Sequence, residues 1–193
     1  MIAGHFGFAA AVKSRTPAVP LWALMLACVW LDVVFVPLVL TGVESIDSVP
    51  GQPPGAYGAA IIHANYTHSL VGAIVLAALF GLAFAERYGR RTAVVLGFVV
   101  LSHWLLDLPM HRPDMPLLPG GVDPVRLGFG LWRSPVAAAL LELALVLVGA
   151  ALYARAVFAL TAEHPAKRRL GRACAASVLA AGLLTLALNV LGQ

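Results

Sequence analysis

The chain has 193 residues, of which 61% are hydrophobic and only 11% are charged, and its mean hydropathy is +0.89. Soluble domains are about 45–50% apolar and about 25% charged, so this composition excludes a soluble enzyme and indicates an integral membrane protein. The net charge of +4 does not indicate nucleic-acid binding, because the basic residues flank apolar segments as topology requires. We expect one membrane domain over residues 1–193, since the length accommodates about five spans of ~20 residues.

The hydropathy pattern predicts an all-α, polytopic membrane helix bundle with about five transmembrane helices. A short N-terminal half-helix over residues 1–12 is too short to cross a bilayer. The five longer apolar segments lie at about residues 18–40, 58–85, 92–108, 134–154 and 173–191. We expect Pro37 to kink the first of them.

The distribution of basic residues predicts the orientation of the bundle. Most of the 13 Lys and Arg residues fall on one side, and only Arg112, Arg126 and Arg133 fall on the other. The positive-inside rule places the larger group, including the N-terminal basic flank, in the cytoplasm. The abundance of alanine and the scarcity of lysine beside arginine are typical of a bacterium with a GC-rich genome. We therefore expect a multi-pass protein of the bacterial cytoplasmic (inner) membrane.

Polar side chains interrupt the apolar segments at one depth. His103 and Asp107 are four residues apart and share a helix face, and ionisable residues inside a membrane indicate a functional site. A rise of ~1.5 Å per residue places Asp32, His68 and Glu142 near the same level, in the middle to outer half of the membrane. We expect Pro109 to end the helix, which would leave His111 at the outer rim.

Histidine and carboxylate groups at one level predict a metal site. Zinc binds three-His-plus-carboxylate sets, and mixed His/Asp sets are common in catalytic sites. We expect a divalent metal, zinc, in unknown number, with Asp107 and His63 as the catalytic residues and Glu142 orienting a ligand. The full set of predicted ligands is His5, Asp32, His63, His68, His103 and Asp107.

Two short motifs resemble those of a bacterial family. The segment His63-Ala64-Asn65-Tyr66-Thr67-His68-Ser69 resembles the His-Arg-Gly-x-Thr-His-Ser signature of the membrane-bound metal-dependent hydrolases of the YdjM type. The segment His103-Trp104-Leu105-Leu106-Asp107 resembles their His-x-Leu-Leu-Asp motif. His5 and Asp32 fit the order of the remaining polar positions, so the resemblance covers about residues 1–112.

The resemblance implies a membrane-embedded hydrolase, with one departure from the family pattern. Ala64 and Asn65 stand where the family has Arg and Gly. If that arginine binds an anionic group of the substrate, then either Arg112 or Arg133 at the outer mouth replaces it here or the substrate differs. Asn65 and Tyr66, which lie within the motif, are expected to contact ligands or substrate.

The leading hypothesis is a metal-dependent hydrolase that acts on an ester or phosphodiester of a lipid-like substrate from the outward-facing side. Water with a pKa lowered toward ~7 by the metal would attack the substrate. The alternative is a metal-ion or proton transporter or channel that uses the same His/Asp cluster, although the cytoplasmic half of the spans lacks polar residues. A haem-binding electron carrier is a third possibility, since two histidines on facing helices can ligate haem. Membrane lipids are the expected partners, and no nucleic acid is expected.

Overall fold

The computed structural model describes residues 1–53, 55–121 and 125–191. The predicted all-α class is confirmed, and two short two-stranded antiparallel sheets lie in the loops. The strands are β1 (Ser45–Ser48) with β2 (Ala60–His63), and β3 (Met115–Pro116) with β4 (Arg126–Leu127). The helices are α1 (Ile2–Arg15), α2 (Leu21–Cys28), α3 (Trp30–Leu40), α4 (Leu70–Met110), α5 (Pro135–Thr161) and α6 (Pro165–Leu191).

Long apolar helices indicate a membrane protein. Within the described residues, α4, α5 and α6 are each long and apolar enough to cross a bilayer. The pair α2 and α3, which meet at an angle of 49°, makes a fourth span if it is counted as one. By this measure the count is three or four, and the predicted five transmembrane helices are not reached.

Helix α4 is broken at Gly89, and its two arms lie side by side. Gly89 has φ 80° and ψ 162°, a backbone conformation that only glycine adopts readily. A Cβ on Gly81 would lie 2.7 Å from the carbonyl oxygen of Ala93, and one on Gly97 would lie 3.0 Å from that of Ala77. Because Gly81 faces Ala93 and the earlier residue Ala77 faces the later residue Gly97, the two arms run antiparallel. The second arm of this helical hairpin carries His103 and Asp107.

The N-terminal half-helix is longer than predicted and packs deep in the bundle. Helix α1 extends to Arg15, and its backbone touches that of α5. Gly149 packs directly on the Gly7 carbonyl, and Gly7 on that of Leu145, with no room for a Cβ at either glycine. This close approach brings His5 into the bundle interior, where its side chain is completely buried.

One helix start and one bend differ from the prediction. The second apolar segment becomes helical only at Leu70, since Ser69 accepts a hydrogen bond from the Gly72 amide at 3.0 Å and caps the helix. The residues before this cap form β2 and a turn. In the first segment the bend lies at Val29, between α2 and α3, and Pro37 lies inside α3.

An apolar core fills the half of the bundle nearer to the Gly89 turn. Some of its buried side chains precede Asp32 on α2 and α3 or precede His103 on the second arm of α4. They include Leu24, Leu31, Leu96, Val99 and Val100. The polar cluster described below therefore borders an apolar core on the side of the Gly89 turn.

Candidate metal centre

Five of the predicted ligands converge in the structure. His5 comes from α1, Asp32 from the first turn of α3, His68 from the turn before α4, and His103 and Asp107 from the second arm of α4. Two groups of three offer ligand atoms that all lie within 4.8 Å of one another, and both groups include His103. The groups are His5, His103 and Asp107, and Asp32, His68 and His103. Four of the five side chains are almost completely buried, whereas Asp32 is 34% exposed.

His103 lies at the centre of the cluster. Its Nε2 is 3.0 Å from Asp107 Oδ2, 3.3 Å from His68 Nε2 and 3.6 Å from Asp32 Oδ1. His68 Nε2 is 3.5 Å from the same Asp32 oxygen and 4.0 Å from Asp107 Oδ2. Four potential ligand atoms from three parts of the chain therefore face one another.

The tautomer of His103 is fixed by a backbone carbonyl. Its Nδ1 lies 2.8 Å from the oxygen of Cys28, which is the last residue of α2. A carbonyl at the end of a helix lacks its intrahelical partner and is available to a side-chain donor. Because Nδ1 must carry the hydrogen to make this bond, Nε2 of the neutral ring presents a lone pair to the cluster.

The tautomer of His68 is fixed by Thr67 and Glu44. The Thr67 hydroxyl donates its one hydrogen to Glu44 Oε2 at 2.8 Å, so its oxygen accepts from His68 Nδ1 at 2.9 Å. Glu44 is itself held by the backbone amides of Tyr66 and Thr67, at 2.7 and 3.0 Å from its Oε1. His68 Nε2 therefore also presents a lone pair to the cluster.

Converging lone pairs need a cation between them. Two imidazole nitrogens and two carboxylates repel one another when buried, and either a proton on one ring or a bound metal ion removes that repulsion. The buried amino group of Met1, 3.8 Å from Asp107 Oδ1, balances part of the negative charge. Zinc binds such atoms at about 2.0–2.2 Å, which sets tetrahedral ligands about 3.3–3.6 Å apart. The three distances within the Asp32, His68 and His103 group are 3.3, 3.5 and 3.6 Å, so this group fits a tetrahedral ion.

His111 belongs to the cluster, contrary to the sequence prediction. Helix α4 continues through Pro109 to Met110, which keeps His111 on the same face as Asp107. The His111 side chain is buried, with Nε2 3.6 Å from Asp107 Oδ2 and Nδ1 2.9 Å from Asp114 Oδ1. The spacing His111-x-x-Asp114 was the available sequence signal for this pair.

Glu44 is the second residue that sequence reasoning missed. It lies in a loop rich in proline and glycine, yet only 2% of it is exposed. Burial follows from its three hydrogen bonds to Tyr66 and Thr67. No local pattern marks such a residue, because its partners lie more than 20 positions further along the chain.

His63 does not reach the cluster, so its prediction as a ligand and catalytic residue is wrong for this structure. It lies on β2, where its side chain is 45% exposed and its Nε2 is 3.0 Å from Asp47 Oδ2 on β1. The prediction assumed a helix through this segment, whereas the helix begins only after Ser69.

Glu142 is buried but does not touch the cluster. It accepts hydrogen bonds from the Gly4 amide at 3.2 Å and from the Tyr57 hydroxyl at 2.6 Å. Burial and the neighbouring carboxylate raise the pKa of Tyr57, so the phenol remains a donor. Glu142 thus binds the first turn of α1, the helix that carries His5, instead of orienting a metal ligand directly.

The remaining predicted residues lie around the outer loops. Arg112 donates to the carbonyl oxygens of Gly58 and Ala60 at 2.6 and 3.1 Å. Asn65 accepts from Arg126 at 2.8 Å, while Tyr66 and Arg133 are exposed. These contacts connect the loops that cover His111 and Asp107, and they do not place an arginine against the cluster.

No family model, curated protein or solved structure matches the chain. The resemblance to the YdjM-type hydrolases therefore rests on the two short motifs and on the order of the polar residues. Of the residues in those motifs, His68, His103 and Asp107 lie in the cluster and His63 does not.

Proposed function

We propose that the protein is a membrane-embedded, metal-dependent hydrolase whose buried His/Asp cluster holds a divalent ion, zinc. One observation carries the proposal. The Nδ1 atoms of His68 and His103 both bind acceptors outside the cluster, which turns both Nε2 lone pairs toward the two carboxylates. Such an arrangement is typical of metal ligands oriented by an outer shell of hydrogen bonds.

The side chains support hydrolysis better than simple structural metal binding. A bound divalent ion would polarise a carbonyl or phosphoryl oxygen and lower the pKa of water. Three protein ligands from the Asp32, His68 and His103 group leave a fourth position open, as catalytic zinc sites do. Asp32 is the partly exposed member of the cluster, so it marks the side of the cluster that is open. Asp107 is on the buried side, where its carboxylate would accept a proton or a hydrogen bond.

A lipid-like substrate agrees with a cluster that lies between membrane-spanning helices. We infer that both arms of α4 cross the membrane, which together with α2–α3, α5 and α6 gives five crossings. The Gly89 turn, flanked by Arg87, Arg90 and Arg91, would then face the cytoplasm of a bacterial inner membrane. A membrane-impermeant thiol reagent should label Ser48→Cys but not Arg90→Cys in intact cells, and the reverse pattern would refute this topology.

A transporter or channel remains the alternative, and the packing below the cluster disfavours it. A pathway needs polar groups on both sides of its site, whereas Leu24, Leu31 and Leu96 are completely buried on the side of the Gly89 turn. We expect no uptake of Zn²⁺ or protons by proteoliposomes. Uptake that Asp32→Asn abolishes would favour the transporter over the hydrolase.

A haem carrier is tested by the visible spectrum, in which we expect no Soret band.

Metal analysis of the purified protein tests the proposal. We expect bound zinc in the wild-type protein and its loss in His103→Ala, because His103 belongs to both groups of ligands. His164→Ala, which changes a residue of the exposed turn between α5 and α6, is the matched control. Full zinc retention by His103→Ala would refute the site, and zinc-dependent release of acid from a model ester or phosphodiester in lipid vesicles tests the reaction.

A further inference from the structure

A groove runs between α5 and α6 on the side of the bundle that carries no metal ligand. It consists of two adjoining cavities of about 420 and 350 Å³. Phe158 and Arg172 line both cavities, so the two form one continuous space. The larger cavity extends from these residues to Leu147 on α5 and Leu179 on α6, and the smaller one continues to the turn that joins the helices.

Alanine side chains make the larger cavity apolar. Ala150, Ala151 and Ala154 line it from α5, and Ala175 and Ala176 line it from α6. These short side chains leave a space that longer ones would fill, and the atoms around it are almost all apolar. A polar ligand would lose its hydrogen bonds there without replacement. The larger cavity therefore suits a hydrocarbon chain.

The length of the groove matches one leaflet of a bilayer. The helix rises about 16 Å from Leu147 to Phe158, and one leaflet of the hydrocarbon core is ~15 Å deep. Arg172 lies at the end of this space that is nearer to the turn. A phospholipid has the same layout, with a chain as long as the leaflet and a phosphate at one end.

The end of the groove near the turn carries positive charge that the chain does not balance. Arg172 has no hydrogen bond or ion pair within the described part of the chain. Arg168 donates to the Ala162 carbonyl from Nε, at 3.0 Å, and from Nη2, which fixes it at the smaller cavity. Glu163 is the only acid between Arg155 and Arg172 in the sequence. An anion from outside the chain would supply the missing charge.

We propose that this groove binds one anionic phospholipid of the cytoplasmic leaflet, with an acyl chain along the alanines and the phosphate at Arg168 and Arg172. Basic pockets between transmembrane helices on the cytoplasmic side bind anionic head groups in this way. The inference rests on the topology proposed above, which puts the turn between α5 and α6 in the cytoplasm, and it does not depend on the metal site. A zwitterionic lipid with the same chains should bind less tightly, because it has no net charge.

Native mass spectrometry tests this site on the full-length protein, released from nanodiscs with equal amounts of phosphatidylglycerol and phosphatidylcholine of the same chain length. Arg172→Gln removes a partner of the phosphate. Arg169→Gln is the matched control, because it removes the same charge from an exposed residue outside the groove. Ala176→Leu fills the groove, and Ala180→Leu adds the same volume at another exposed position of α6.

We expect one phosphatidylglycerol per wild-type chain, retained in preference to phosphatidylcholine. Arg172→Gln should weaken its binding by about fivefold, the factor for one basic side chain at a lipid surface, and Arg169→Gln should stay close to the wild type. Ala176→Leu should lose the lipid, whereas Ala180→Leu should keep it. Equal retention of the two lipids, equal losses in the two glutamine variants, or displacement of phosphatidylglycerol by inorganic phosphate would overturn the proposal.

Cross-linking of the wild-type protein covers the case in which a variant does not fold. Phosphatidylglycerol with a photoreactive group on its acyl chain is added to membranes that contain the protein. We expect the label on the segments 147–158 and 172–179, and an even distribution over the exposed faces of α4, α5 and α6 would overturn the site. Failure of the protein to bind a divalent metal would refute the proposed hydrolase and leave these outcomes unchanged.

Discussion

His103 Nδ1 lies 2.8 Å from the carbonyl oxygen of Cys28, and this contact connects the cluster to the break between α2 and α3. In a continuous helix the Cys28 carbonyl would accept from the amide of Asp32, four residues later. The break at Val29 releases that carbonyl for His103 and turns Asp32 toward the ring. The single break at Val29 thus orients His103 through the Cys28 carbonyl and brings Asp32 to the cluster.

The Thr67 hydroxyl should control metal affinity through His68. Thr67→Val removes the acceptor of His68 Nδ1 and leaves Glu44 without one of its donors. We expect affinity for Zn²⁺ to fall by about 10–100-fold, as for other outer-shell changes, with Thr67→Ser close to the wild type. Competition with a zinc chelator measures both. Equal affinities for the valine and serine variants would show that the hydroxyl does not orient His68.

Gly149→Ala should displace α1 and with it His5. The new Cβ would overlap the Gly7 carbonyl, and overpacking of this kind costs about 1–3 kcal/mol. We expect a lower melting temperature in detergent and weaker metal binding. Ala144→Val adds volume at an exposed position of the same helix and should change neither. A fully stable Gly149→Ala variant would contradict the close contact between α1 and α5.

The Tyr57–Glu142 hydrogen bond should stabilise the fold without belonging to the metal site. Tyr57→Phe leaves the buried Glu142 with one fewer donor, and hydrogen bonds to charged groups contribute about 1.5–3 kcal/mol. We expect a loss of this size in the free energy of unfolding, with the metal stoichiometry unchanged. Tyr66→Phe, at a residue that is 45% exposed, is the control. Loss of the metal from folded Tyr57→Phe would mean that Glu142 acts on the site directly.

Metal removal should destabilise the protein, because a ligand that binds only the folded state stabilises it. At a free Zn²⁺ concentration 100-fold above Kd the gain is about 2.7 kcal/mol. We expect a chelator to lower the melting temperature of the wild type and to leave His68→Ala unaffected. A wild-type melting curve that does not respond to chelator or added Zn²⁺ would argue against an ion at the cluster.

The sequence located the cluster better than it located the residues around it. His103 and Asp107 could be paired from their four-residue spacing, and Asp32 and His68 from their depth, since helical rise and bilayer thickness are nearly constant. His63 was assigned wrongly because hydropathy does not show where a helix begins. The serine of Thr67-His68-Ser69, whose hydroxyl caps the Gly72 amide, was the signal for the later start.

By itself the sequence determined the apolar composition, the helical class and the kinds of ligand available, because these follow from the residue types and their periodicity. Only the tertiary structure decided which ring nitrogens face the centre. That choice depends on Cys28, Glu44 and Asp114, whose contacts are made by a break between helices, a long loop and a turn. Hydrogen-bond direction is a property of three-dimensional contacts, and no spacing along the chain encodes it.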